Sequence, residues 1–389
     1  MQGLLALVVG IGVAQVISWG SLYYSISVLG PAMRADTGTS ETFLFGAYTA
    51  GLVLSGVLAP RVGRLIDRRG GRFVLSAGSV VGAVALAILA AATNGAMVAV
   101  GWVIAGAAMA ATLYDPAFAA LSQHAGGRYR RAVTAVTLFG GFASTVFWPF
   151  AQLLLEAWGW RVALATFAAL HLLVCLPIHR AVIPQTHAGA IRRKDAGERS
   201  PAFDDPRLGW LNAAFGILSF IVGIVAVHMV GLLTGIGLTT AQAVAAGMLM
   251  GPMQVVGRVV EITFLGKTRA TSVGMISFWL VIAAVAMIAF SGGRPVLAIA
   301  FVACYGLGNG IFTIVRGAAP AEMYGSAGLG ELLGHLARVS LFARAIAPGS
   351  YPLLLALGLT QRWAMLLLAV LALAALACYA RATGRERAG

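Results

Sequence analysis

The segment Gly63-Arg64-Leu65-Ile66-Asp67-Arg68-Arg69-Gly70-Gly71-Arg72 carries four arginines, one aspartate and three glycines within ten residues. It stands between two apolar stretches, at about 42–62 and 73–93. In this setting Gly63 permits close approach of helices, Asp67 can cap a helix or pair with a neighbouring arginine, and Gly70 allows a sharp turn. The segment therefore predicts a short charged loop between two apolar helices.

The composition shows what kind of chain surrounds this segment. Of the 389 residues, 60% are hydrophobic and only 10% are charged. Soluble domains are roughly 45–50% apolar and about 25% charged, so a soluble globular protein is excluded. Disorder needs low hydrophobicity and collagen needs a strict glycine period, so neither class fits. We expect an integral membrane protein.

Twelve apolar stretches are long enough to cross a bilayer, which takes about 20 residues for roughly 30 Å of hydrocarbon. We call them spans 1 to 12, and they lie at about 4–29, 42–62, 73–93, 96–122, 133–156, 161–183, 208–234, 240–262, 270–291, 295–318, 328–357 and 361–381. Span 1 has no basic leader, so it is expected to be a retained helix rather than a removed signal peptide.

The basic residues are distributed unevenly between the loops. Of the 27 lysines and arginines, 21 lie on the side of both termini, 4 lie in the opposite loops, and Arg338 and Arg344 lie within span 11. The positive-inside rule then predicts a multi-pass protein of a bacterial-type inner membrane with both termini cytoplasmic. Topology explains the net charge of +14, so no nucleic-acid partner is expected.

The two halves of the chain resemble each other weakly. The polar stretch 184–207 separates residues 1–183 from residues 208–389, and each half holds six spans. Residues 62–67 also match residues 256–261, which supply Gly257, Arg258 and Glu261 after span 8. Two parallel six-helix repeats joined by a cytoplasmic linker are typical of transporters whose site lies between the repeats.

The segment 63–72 resembles the signature loop of the major facilitator superfamily, Gly-x-x-x-Asp-Arg/Lys-x-Gly-x-Arg/Lys. The resemblance covers the whole chain and implies an all-α integral membrane fold of 12 transmembrane helices in two pseudo-symmetric six-helix bundles. In that family the loop latches one conformational state, so the resemblance implies conformational control rather than solute contact. The residues concerned are Gly63, Asp67, Arg68, Gly70, Arg72, Gly257, Arg258 and Glu261.

The subfamily stays open. Drug/proton antiporters usually carry an arginine in span 4, where this chain has Trp102, and a Gly-x-x-x-Gly-Pro element in span 5. Here span 5 reads Gly-Phe-Ala-Ser-Thr-Val-Phe-Trp-Pro over residues 141–149. The chain is similar to oxalate and monocarboxylate porters as well, which leaves an organic anion open as the solute.

Two rows of side chains are candidates for the wall of a solute cavity. Helical spacing places Gln15, Trp19 and Tyr23 on one face of span 1, with Tyr24 pointing the other way. Ser144 and Trp148 form a similar row in span 5. Stacking and hydrogen bonding to a solute is one interpretation, and aromatic packing between helices is the alternative.

Two titratable residues within spans are candidates for proton coupling, because charges at membrane depth are costly and usually functional. Asp115 in span 4 could bind a proton, or it could pair with Arg68 or Arg72 of the signature loop. His228 in span 7 could carry a coupled proton, or it could be a neutral hydrogen-bonded histidine.

Three further polar residues could meet an anionic solute. Asn309 and Arg316 share one face of span 10, where Arg316 could bind an anion or latch the second half. Arg344 in span 11 has no acidic residue within one turn, so it could contact the solute or a partner from another helix. Nearby, Glu331 is expected to be neutralised by His335 and Arg338 of its own helix.

Motifs for enzyme activity, cofactors or metals are missing from the sequence. Cys175, Cys304 and Cys378 lie in separate spans without metal-type spacing. The leading hypothesis is a monomeric secondary active transporter that moves a small organic solute across the lipid bilayer by alternating access and couples to protons. Uptake and efflux both stay open. The alternatives are a passive channel, a non-transporting sensor and a metalloid (arsenite) exporter.

Overall fold

A computed structural model describes residues 2–185, 201–291 and 294–384. The basic stretch of the predicted linker, including Arg192 and Arg193, lies outside the described residues. Regular structure in the described ranges is entirely helical. The α-helices are α1 Gln2–Ser18, α2 Ser25–Thr37, α3 Glu41–Arg69, α4 Gly71–Ala90, α5 Gly95–Thr112, α6 Tyr114–Ala125, α7 Tyr129–Gly141, α8 Ala143–Leu170, α9 Leu176–Val182, α10 Arg207–Gly235, α11 Thr240–Gly247, α12 Met250–Phe264, α13 Ala270–Phe290, α14 Pro295–Tyr324, α15 Leu329–Ala356 and α16 Gln361–Thr383.

Ten continuous helical stretches of the described chain are long and apolar enough to cross a membrane. One of them, Gly95–Val182, has 88 residues, which would extend about 130 Å as a straight helix and cannot be a single crossing. The backbone turns at Gly126, with φ 51°, and inside α8 at Gly159, with φ 83°. These turns divide the stretch into spans 4, 5 and 6, so the described chain has the twelve spans that the sequence predicts.

Helix starts follow from local side chains. Ser40 and Asn94 each accept the backbone N–H three residues ahead, at the starts of α3 and α5. Thr239 and Gln242 form a reciprocal capping box at the start of α11. Such caps satisfy the first backbone donors of a helix, so they fix where these spans begin.

Several spans are interrupted inside the membrane-spanning length, including span 5 between α7 and α8 and span 8 between α11 and α12. Span 1 contains a π-helical turn at Trp19–Tyr24, and span 6 contains another at His171–Cys175. Span 4 breaks at Leu113, whose backbone is extended between α5 and α6. Of these interruptions, the π-helical turns are of a rare type that often occurs at functional positions.

The described residues group into two compact units, one within 1–200 and 326–338 and the other within 201–325 and 339–389. The core of the first unit includes Leu22, Leu86 and Trp102, each at most 1% exposed. The core of the second unit contains a ring stack in which Phe278 and Tyr379 lie 4.7 Å apart. Each unit therefore has its own apolar interior.

Candidate functional site

The predicted signature loop is mostly helix. Residues 63–69 continue α3, α4 begins at Gly71, and the connection is Gly70, with φ 82° and ψ 155°. Only glycine adopts this backbone conformation at low cost. Gln123 of α6 holds the turn, because its side-chain amide donates to the carbonyl of Ile66 at 2.9 Å and its oxygen accepts the N–H of Gly71 at 3.0 Å.

Asp67 receives two backbone hydrogen bonds from the first turn of α15. Its Oδ1 accepts the N–H of Gly330 at 3.0 Å, and its Oδ2 accepts the N–H of Glu331 at 2.8 Å. A carboxylate at a helix N-terminus satisfies orphan donors and interacts favourably with the helix dipole. Asp67 therefore caps a helix.

An ion pair lies beside this cap. Arg64 Nη1 is 3.0 Å from Glu331 Oε1. The sequence predicted that Glu331 would be neutralised by its own helix, whereas the structure gives it a partner from α3. Helical spacing within span 11 could not reveal this partner, because the two residues are 267 positions apart.

The two helices come very close at Gly63. A Cβ atom on Gly63 would overlap the carbonyl oxygen of Gly330, so an unsubstituted backbone is required there. Asp115 lines a small cavity at the same place, together with Gly63, Ile66 and Gly334. The structure thus brings Gly63, Asp67 and Asp115 together, while Arg68 is exposed and Arg72 is half-buried.

The second copy of the signature lies inside a helix and not in a loop after it. Gly257, Arg258 and Glu261 all belong to α12, where Gly257 packs against the carbonyl of Leu307 in α14. Arg258 is 3% exposed and Glu261 is 1% exposed. Two opposite charges one helical turn apart are therefore buried within the second unit.

An aromatic cluster surrounds the π-helical turn of span 1. The ring centroid of Trp19 lies 5.0 Å from those of Tyr23 and Tyr114 and 6.1 Å from that of Tyr24. The prediction that Tyr24 points away from Trp19 is wrong. A π-helical turn adds one residue to the helix, which rotates the residues after it relative to an α-helical wheel.

An open cavity of about 540 Å³ adjoins this cluster. Its volume lies within the usual range for small-molecule sites. Tyr24 meets Trp148 edge-to-face at 6.1 Å, and Trp148 remains 48% exposed. None of the described side chains that line the cavity is charged. They are Ser27, Val28, Ser144, Thr145, Trp148, Pro149 and Gln152.

Residues 11–348 match the sequence profile of the Major Facilitator Superfamily. The chain belongs to the major facilitator superfamily. This confirms the resemblance carried by residues 63–72 and identifies a multi-pass membrane transport protein rather than an enzyme. No curated protein sequence matches the chain.

Solved transporter structures share the superfamily fold. The human organic anion transporter MFSD10 (TETRAN) gives a TM-score of 0.73 at 16% identity, covering 96% of this chain and 98% of its own. The superfamily transporter FucP in the outward conformation gives 0.75 at 14% identity, with 96% and 98% covered. The proton:xylose symporter XylE gives 0.75 at 14% identity, with 97% and 95% covered. The all-α, twelve-helix membrane fold is confirmed.

Only some of the residues predicted to form a cavity wall line the open cavity of the first unit of this superfamily member. Ser144 and Trp148 do, and Trp19 and Tyr23 stand in the aromatic cluster beside it. Gln15 is fully buried and donates its amide to the carbonyl of Thr112 at 2.6 Å. Thr112 lies 97 residues from Gln15 in the sequence, so helical spacing could predict the helix face on which Gln15 lies but not the residue that it contacts.

The remaining candidates lie in the second unit. Asn309 and Arg316 are half-buried on α14. Arg344 is half-buried on α15, and its backbone packs against Gly223 of α10. The ring Nε2 of His228 lies 2.9 Å from the carbonyl oxygen of Pro348. None of these residues lines the cavity described above.

The sequence did not predict three residues whose contacts position the signature turn, the aromatic cluster and the π-helical turn of span 1. Gln123 fixes the signature turn, Tyr114 completes the aromatic cluster, and His171 bonds to the π-helical turn of span 1. A usable signal existed only for His171, which repeats with Cys175 and His179 at four-residue spacing on one helix face.

Proposed function

We propose that this secondary transporter binds an uncharged, hydroxyl-bearing ring solute in the cavity beside the aromatic cluster. The observation that carries the proposal is the lining itself. It offers the hydroxyl-bearing side chains of Ser27, Ser144 and Thr145, the amide of Gln152 and the half-exposed indole of Trp148. Hydroxyls and amides hydrogen-bond polar rings, and an indole face packs against their C–H surface.

Local charge also favours a neutral solute at this place. The Gln152 amide donates to the Glu156 carboxylate at 2.7 Å. An acidic group next to the lining repels anions. The names of the structural neighbours FucP and XylE, one of them a proton:xylose symporter, agree with this solute class.

A second candidate is an organic anion, as in the name of MFSD10. Arg316 and Arg344 favour it, because a guanidinium binds a planar carboxylate through paired hydrogen bonds. In this alternative the two arginines bind the solute within the second unit.

Asp67, Arg64 and Gly63 are proposed to control conformational exchange rather than to bind solute. Their contacts with α15 are short and specific, and no residue of this group lines the solute cavity. Arg68, Gly70 and Arg72 continue the same segment. Gly257, Arg258 and Glu261 are proposed to serve the corresponding role in the second half.

Transport is proposed to be coupled to protons, with Asp115 as the leading site, because it stands beside the α3–α15 contact. Proton movement at that place would act directly on the proposed latch. The protein is further proposed to work as a monomer in a bacterial-type inner membrane, with both termini cytoplasmic and two six-helix bundles.

Counterflow in liposomes tests this function. Liposomes that contain the purified protein are loaded with L-fucose, D-xylose or a dicarboxylate, and exchange is measured with and without an imposed pH gradient. We expect exchange of a neutral ring solute that Trp148→Ala strongly reduces. Trp279→Ala, which removes another exposed indole in the second unit, is the matched control and should exchange normally. Exchange of the dicarboxylate alone would favour the second candidate.

A further inference from the structure

The two π-helical turns of the described chain touch each other. Ser21 lies within the turn Trp19–Tyr24 of span 1, and His171 begins the turn His171–Cys175 of span 6. Their side chains are hydrogen-bonded, with 2.9 Å between Ser21 Oγ and His171 Nε2. π-helical residues make up well under 1% of soluble globular proteins and often occur at functional sites, so two such turns joined by one buried bond indicate a specific role.

The direction of this bond follows from counting protons. Ser21 Oγ also lies 2.7 Å from the carbonyl oxygen of Ile17, which can only accept. A hydroxyl has a single proton, so Ser21 donates to Ile17 and accepts from His171. His171 is fully buried and therefore acts as a neutral imidazole that carries its proton on Nε2.

The π-helical turn decides which side chains face the cavity. Each residue of an α-helix advances by about 100° around the axis, and a π-helical turn inserts one extra residue. With the turn present, Tyr24 reaches Trp19 and Trp148, Ser27 is exposed at the cavity, and Ile26 is 5% exposed. Regular α-helix would rotate these residues and remove Tyr24 from the cluster.

We propose that His171 is a positioning residue whose bond to Ser21 holds span 1 in its π-helical register and so selects the side chains that line the cavity. The description of that cavity as the solute site rests on the proposed function. The register itself depends only on contacts within the first unit.

A neighbouring pair provides a matched comparison. His179 lies two turns further along span 6, is fully buried, and has Nδ1 at 3.0 Å from Ser79 Oγ. It is the same type of imidazole–serine bond, but Ser79 belongs to α4 and not to span 1. Loss of this bond should loosen the bundle to a similar degree and leave the register of span 1 unchanged.

Thiol labelling measures the register without any solute. Single cysteines replace Ser27 or Ile26 in a background with Cys304→Ala and Cys378→Ala, in which the buried Cys175 is retained. A membrane-impermeant maleimide is applied to proteoliposomes. Because reactivity requires exposure, Ser27→Cys should react at least about tenfold faster than Ile26→Cys.

Removal of the bond should change this ratio. His171→Leu and Ser21→Ala each abolish it from one side, so the Ser27→Cys rate should fall and the Ile26→Cys rate should rise. His171→Gln restores a side-chain N–H donor and should restore the ratio. His179→Leu should keep the original ratio.

Three results would overturn the proposal: an unreactive Ser27→Cys in the parent, an unchanged ratio in both His171→Leu and Ser21→Ala, or an equal loss of the ratio in His179→Leu. Ala14→Cys, fully buried before the π-helical turn, must also stay protected, since its exposure would indicate unfolding. If the ratios behave as expected in a protein that exchanges none of the tested solutes, the proposed solute site fails and the register stands.

Discussion

Gln15 donates its side-chain amide to the carbonyl oxygen of Thr112, which is the carbonyl that Pro116 leaves without a helical donor. Proline has no N–H, so the carbonyl four residues before it loses its intrahelical bond. His228 and Pro348 repeat this relationship in the second unit, because Pro352 follows Pro348 by four residues. Span 1 and span 7 thus each supply a side-chain donor to a carbonyl whose backbone hydrogen bond a proline removes.

A double-mutant cycle tests the first of these bonds. Gln15→Leu should lower the free energy of unfolding by about 1–3 kcal/mol, the usual cost of an unsatisfied buried polar group. With Pro116→Ala, the new N–H at residue 116 can serve Thr112, so Gln15→Leu should cost clearly less. Titration with a denaturing detergent measures both backgrounds, and an equal cost in both would disprove the compensation.

His228 was a candidate proton carrier by sequence, and its bond to Pro348 makes a different prediction. The Nε2 atom must carry a proton to bond to a carbonyl, and a glutamine amide can replace that donor. We expect His228→Gln to keep both stability and the response of transport to a pH gradient, while His228→Leu loses stability. If His228→Gln exchanges solute but no longer responds to the gradient, His228 carries the proton after all.

The apolar spans and the segment 63–72 were sufficient to predict twelve helices and the superfamily, because both signals are local in sequence. The position of Tyr24 could not be predicted, since nothing in its neighbourhood signals an added π-helical residue. The partners of Gln15 and Glu331 were equally hidden, because each lies on a helix distant in sequence. Ser144 and Trp148 both line the open cavity because α8 is regular around them, and their role in solute binding stays a prediction.

Asp67→Asn tests whether the cap that Asp67 forms on the first turn of α15 controls conformational exchange. The amide keeps one acceptor oxygen but loses the charge that interacts with the helix N-terminus. We expect slower solute counterflow with equilibrium binding changed by no more than a few-fold. Glu41→Gln, an exposed carboxylate at the other end of α3, is the control and should leave the rate unchanged. Complete loss of binding in folded Asp67→Asn would contradict a purely conformational role.

Asp115→Asn separates two roles for the carboxylate that lines the small cavity at the α3–α15 contact. As a proton site, its loss should preserve solute exchange and abolish the response to a pH gradient. As part of the latch, its loss should slow exchange in the same way as Asp67→Asn. Counterflow and gradient-driven uptake measured on one preparation distinguish these outcomes, and wild-type behaviour in both assays would remove Asp115 from the mechanism.

Gly63 and Gly46 are two glycines of α3 that should respond oppositely to alanine. A Cβ atom at Gly46 meets nothing within 4 Å, whereas one at Gly63 would overlap the carbonyl oxygen of Gly330. Glycine inside a helix costs about 0.5–1 kcal/mol relative to alanine, so Gly46→Ala should stabilise the protein by up to that amount.

At Gly63 the steric overlap should outweigh the gain in helix propensity, because the atom in the way is backbone and cannot move as a flexible side chain would. We expect Gly63→Ala to lower the midpoint of unfolding and to separate α3 from the first turn of α15. That separation removes the Asp67 cap, so Arg64→Cys and Glu331→Cys should cross-link less readily in the Gly63→Ala background than in the Gly46→Ala background. Equal cross-linking in the two backgrounds would show that α3 and α15 can approach each other without a glycine at residue 63.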